Sequence, residues 1–107
     1  MDPDKPDIRI SDVVVSIAGR DAGNYYYVTA VEEDYVLLCD GRGRTLDKPK
    51  RKKRKHIEKV LRSETRVAGK LLSGDKVLNG ELRRDLASLC RGMQAEKTEA
   101  HKKSPSL

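Results

Sequence analysis

The sequence predicts a mainly β domain, a small barrel followed by two short α-helices. Three observations carry this. From Ile8 to about Leu61, short runs rich in Val, Ile, Leu and Tyr alternate with turn residues. From about Ser63 the spacing of apolar residues changes to three and four, the helical period. The chain has 107 residues, 36% apolar and 37% charged, which supports one domain with a modest core.

Residues 1–7 are acidic and rich in proline and read as a flexible tail, with the wrong character for a targeting peptide. The barrel is expected over residues 8–62. Asp12–Ala18 is the first clear strand and Tyr25–Glu32 the second, joined by the loop Gly19–Asn24. Glu33-Asp34 is a tight polar turn. Tyr35–Cys39 is an almost continuous apolar run, as expected of a strand buried on nearly both faces. Asp40–Gly43 turns the chain, and Arg44–Leu46 is a candidate fourth strand. His56–Leu61 is a closing fifth, with Ile57, Lys59 and Leu61 on one side and Glu58 and Val60 on the other. Five short strands with tight turns suggest a small barrel.

Residues 63–94 form the helical segment. Ser63 is placed to cap the first helix and Gly74 to end it. Asn79 is placed to cap a second helix over Gly80–Gly92, with Glu81 favourable in its first turn. Leu82, Leu86, Leu89, Cys90 and Met93 give that helix one apolar stripe, either a core face or a partner-binding face. Residues 95–107, polar and without apolar periodicity, read as a second flexible tail.

The net charge of +6 is strongly polarised: residues 1–47 carry −5 and residues 48–107 carry +11. In Lys48-Pro49-Lys50-Arg51-Lys52-Lys53-Arg54-Lys55, seven of eight residues are cationic. A run that dense repels itself unless counter-charge is present, so it points to a polyanion such as nucleic acid. It lacks the interleaved large apolar residues of a membrane-surface segment, and it matches a nuclear-localisation pattern only in composition. The two cysteines, Cys39 and Cys90, read as small buried hydrophobes in a reducing compartment, with a disulfide as the alternative. With His56 and His101 as the only histidines, no metal-ligand spacing exists and no cofactor is expected. No apolar run reaches the length of a membrane span or a signal segment, so a cytoplasmic protein is expected.

Ala18-Gly19-Arg20-Asp21-Ala22-Gly23, with its Val-rich flanks, resembles the KOW motif of ribosomal and transcription-elongation proteins with small SH3-like barrels. Val14-Val15-Ser16-Ile17, Tyr35-Val36-Leu37-Leu38 and the basic segment closing on Lys55-His56-Ile57 extend the likeness. Over residues 10–60 the chain resembles the large-subunit ribosomal protein family "L fourteen e", and still more its short bacterial relatives, KOW-domain RNA-binding proteins. The helical end departs from the longer tails of the ribosomal proteins and looks like that of the short relatives.

The resemblance implies that the glycine loop touches RNA. Gly19 and Gly23 then let backbone N–H groups reach phosphate or ribose, with Asn24 closing the loop. Arg20 offers a planar bidentate donor, while Asp21 braces Arg20 or caps the turn. Lys48, Lys50, Arg51, Lys52, Lys53, Arg54 and Lys55 neutralise backbone phosphates, and Arg42 and Arg44 extend the patch from a glycine-rich turn. An ordinary hairpin turn is the plainer reading of the loop. Tyr25 and Tyr27 share one face of their strand and Tyr26 takes the other; at least one fills the core, and an exposed one could stack a base. His56 either contacts RNA or is a structural histidine.

The function expected from these readings is non-enzymatic binding of ribosomal or other structured RNA by a monomer, with ribosomal proteins as further partners. A protein-interaction adaptor using the barrel and the amphipathic helix is the competing reading. No nucleophile–base pair, paired carboxylate set, metal cluster or phosphate-cradling loop supports an enzyme.

Overall fold

A computed structural model describes the backbone of residues 7–103 and the side chains of residues 7–92. Five strands form one antiparallel sheet: β1 (Asp12–Ser16), β2 (Tyr25–Val31), β3 (Tyr35–Cys39), β4 (Lys50–Lys53) and β5 (Ile57–Arg62), in the spatial order β4-β3-β2-β1-β5. The two edge strands, β4 and β5, are joined by a single 3₁₀ turn, Arg54–His56. So short a link draws the edges together at that corner and gives the sheet its barrel-like form. Two helices follow, α1 (Arg66–Ser73) and α2 (Asn79–Lys103).

Both faces of the sheet are buried, which explains the continuous apolar runs. Side chains alternate across a strand. Val14, Tyr26, Val28, Val36, Leu38 and Ile57 fill the concave interior. Val13, Tyr27 and Cys39 point the opposite way and pack against Val67 of α1 and Leu82 and Leu86 of α2. The cross-strand pairs Val13–Tyr27 and Val14–Tyr26 thus belong to different cores. Tyr25 and Tyr27 share the helix side and Tyr26 the interior, as the strand period requires.

Four expectations about strands and helix caps need correction. Arg44–Leu46 is not a strand: only Thr45 forms a bridge, to Lys48, and the fourth strand is the cationic run itself. The alternation in β5 is interrupted, because Val13 opposes Leu61 while Val14 opposes Lys59, which leaves Val60 as a bulge. Ile57 therefore faces the interior, whereas both Val60 and Leu61 pack on the helix side. Ser63 does not cap α1; Thr65 does, accepting the Ala68 N–H at 3.2 Å. Ser63 is buried and bonds the Tyr27 hydroxyl at 2.7 Å. Asn79 does not cap α2 with its side chain, which accepts the Leu46 N–H at 2.8 Å and ties the long β3–β4 connection to the helix. Glu81 instead accepts the Leu78 N–H at 3.1 Å. Gly74 ends α1 in the left-handed region at φ 77°, as expected of a helix stop.

α2 runs past Gly92 to Lys103, into the stretch expected as a tail. Residues 1–6 and 104–107 of the expected tails, and the Met93 side chain of the apolar stripe, lie outside the described residues. The helices are locked to the barrel by a buried polar cluster. The Tyr27 hydroxyl lies at the centre, bonded to Ser63, to Thr65 at 3.3 Å and, closely, to Asp85 of α2. Burial, reinforced by the Asp85 carboxylate, pushes this phenol up to about 12.

Candidate nucleic-acid interface

The β1–β2 loop is a pinned structure. Gly19 and Gly23 sit at φ 86° and 92°, conformations that strain any L side chain. The Gly23 N–H donates to the Ser16 carbonyl at 2.8 Å and the Asn24 N–H to the Asp21 carbonyl at 3.0 Å. These two amides are thus spent inside the loop and not held out for a phosphate. The loop projects Arg20, exposed and without an ion pair among the described residues.

Asp21 braces the loop, but through the cationic run and not through Arg20. Its Oδ1 accepts from Ser16 Oγ at 2.9 Å and from Lys52 Nζ at 2.7 Å. Its Oδ2 lies 3.2 Å from Lys50 Nζ. Lys52 Nζ also donates to the Ala18 carbonyl at 2.7 Å. Burial pushes the Asp21 carboxyl up, but hydrogen bonds from Lys52, Ser16 and Lys50 outweigh it and hold the group well below the usual carboxylate range. At 10% side-chain exposure, Lys52 is an internal counter-ion and is not available to an external phosphate.

The strand geometry sorts the rest of the run. In β4, residues 50 and 52 turn toward Asp21, so 51 and 53 take the other side. Arg51 lies over the Tyr35 ring, 3.7 Å from its centroid, and pairs with Glu32 at 2.9 Å. Arg54 donates twice to the Glu32 carbonyl, at 3.2 and 3.0 Å. Lys48, Lys53 and Lys55 are exposed and have no salt-bridge partner among the described residues. Half-buried His56 serves through its backbone, accepting the Ile17 N–H at 3.0 Å. Lysines along an edge strand also block strand-to-strand association.

Arg42 and Arg44 lie on a turn organised by Asp40, whose Oδ1 accepts both of their N–H groups at 2.9 Å. Both side chains are exposed. Between them and β3 is Gly41, with φ 78°; a Cβ there would fall 2.3 Å from the Asn79 carbonyl oxygen and 2.9 Å from the Arg83 nitrogen. The turn is therefore seated on the first turns of α2 with no room for a side chain.

The structure thus brings the predicted residues together in two ways. Lys50 and Lys52 brace the loop, while Arg20, Lys53 and Lys55 are cations with unspent charge and Lys48 stands beside the exposed Asp47 carboxylate. Arg42 and Arg44 form a separate cluster beside α2. The sequence reading missed Arg83, which lies across a groove from the loop. Its only signal was a place on the polar face of a helix, which does not distinguish it from Arg84. Among the described residues, no group of three His, Cys, Asp or Glu could hold a metal ion. Both cysteines are free thiols, and burial pushes the Cys39 thiol up to about 11. No protein-family model and no curated protein matches the chain.

Proposed function

We propose that the chain is a non-enzymatic RNA-binding protein of the KOW type, an SH3-like barrel that docks on ribosomal or other structured RNA. The observation that carries this is the division of labour in the cationic run. Internal carboxylate and carbonyl groups occupy Lys50, Lys52 and Arg54, whereas Lys53 and Lys55 present charge with no internal partner among the described residues, and Lys48 faces only the exposed carboxylate of Asp47. A folded chain that holds such cations together on a rigid edge gains most when a polyanion releases its counter-ions there. Arg20, on a loop rigidified by Asp21, supplies the planar donor that positions the contact.

Leu82 and Leu86 of the apolar stripe are buried against the barrel, so an adaptor would have to bind its partner through the barrel surface. The test is ultraviolet crosslinking in cells followed by sequencing of the recovered RNA. The wild-type chain should recover structured RNA, with ribosomal RNA enriched. A variant combining Lys48→Ala, Lys53→Ala and Lys55→Ala should recover markedly less at equal protein abundance. Equal recovery from both would refute the reading.

A further inference from the structure

A groove of about 480 Å³ opens between the β1–β2 loop, the turn after β3 and helix α2. The groove is shallow and open to solvent along one side. Its walls come from three elements. The loop side offers Asn24 and the half-buried ring of Tyr25. Tyr25 is packed against the helix-side core, which fixes its orientation. The helix side offers Leu86, Ala87 and Cys90 as an apolar floor.

Arg42 and Arg83 stand on the rim, on different elements. Neither guanidinium has an ion-pair partner among the described residues. The contact of Gly41 with the backbone of Arg83 fixes the turn that bears Arg42 against the helix that bears Arg83. Asp40 is the single carboxylate in the lining, and its Oδ1 is committed to the turn. An aromatic wall, an apolar floor and two unpaired cations complement a flat base attached to a phosphate.

Resting on the RNA-binding reading above, we infer that this groove takes one unpaired nucleotide of the bound RNA. The base lies against Tyr25 and the apolar floor, and its flanking phosphates meet Arg42 and Arg83. A base held in a continuous duplex stack cannot lay its face against Tyr25, so the groove selects single-stranded or bulged RNA. The exposed cations at the β4 edge, by contrast, hold any RNA backbone alike.

Two fluorescein-labelled probes test this, a mixed-sequence 12-nucleotide single strand containing 4-thiouridine and a perfectly paired 12-base-pair RNA duplex. Arg83 is exposed, so Arg83→Ala keeps the fold. It should weaken single-strand binding roughly tenfold, the loss of one charge-assisted contact, and leave duplex binding within about twofold. Crosslinks from 4-thiouridine should map to Tyr25 or Cys90. Equal effects of Arg83→Ala on the two probes, or crosslinks confined to Lys48–Lys55, overturn the groove while RNA binding itself stands. Failure of the wild-type chain to bind either probe overturns both.

Discussion

Lys52→Met separates structural from binding cations within one continuous run. Lys52 keeps only 10% of its side chain exposed and Asp21 only 12%. Their contact is 2.7 Å, and the same ammonium bonds the Ala18 carbonyl at 2.7 Å. Methionine retains the apolar stem but removes the charge. Stranding one partner of a buried pair costs about 3–5 kcal/mol. Asp21 retains Ser16 and Lys50, which lowers the expected cost to about 2 kcal/mol. For a domain of this size that corresponds to a drop in Tm of about 10 °C. Lys53→Met, at an exposed site one residue away, should stay within about 0.5 kcal/mol of wild type. Urea unfolding followed by circular dichroism measures both, with the slope against urea expected to be unchanged. A cycle with Asp21→Asn should show a coupling of about 1 kcal/mol or more between positions 21 and 52. Equal stability of Lys52→Met and Lys53→Met would refute the assignment of Lys52 as an internal counter-ion.

Three further outcomes follow from the geometry. Gly41→Ala combines a left-handed backbone with a Cβ 2.3 Å from the Asn79 carbonyl oxygen, and should destabilise the fold by about 2–5 kcal/mol in urea unfolding. Tyr27 is held protonated, so its contribution to stability is complete below pH 10 and is lost as pH rises through about 12. Absorbance at 295 nm should accordingly show at least one of the four tyrosines ionising only near pH 12 while the fold persists; ionisation of all four near pH 10 would contradict the buried cluster. N-ethylmaleimide at pH 8 should modify half-buried Cys90 well before fully buried Cys39, read by mass spectrometry of tryptic peptides.

Strand period and turn chemistry made most of the fold legible. The Tyr25-Tyr26-Tyr27 alternation, the Tyr35–Cys39 strand and the Gly74 stop all follow from local rules. What local rules missed has tertiary causes. Lys50–Lys53 reads as a solvated charge run because nothing nearby in sequence says that Asp21, some thirty positions earlier, neutralises it. Pairing with β3 makes it a strand. Asn79 reads as a cap, yet a loop amide from Leu46 claims its side chain. Ser63 reads as another, yet the buried Tyr27 hydroxyl claims it. At the proposed site, charge density singles out the segment, but burial decides which of its cations are spent. Arg83 became visible only when Gly41 set the Arg42 turn against α2.

The salt dependence of RNA affinity tests the central claim most directly. Fluorescence anisotropy of one RNA hairpin, titrated between 50 and 200 mM salt, gives the slope of log Kobs against log salt. The wild-type slope should be steep and negative. Combining Lys53→Ala with Lys55→Ala should make it shallower by about 1.4–1.8, the release of two phosphate-bound counter-ions. A slope equal to wild type in that variant, or wild-type affinity indifferent to salt, would contradict an RNA-binding edge built on these lysines.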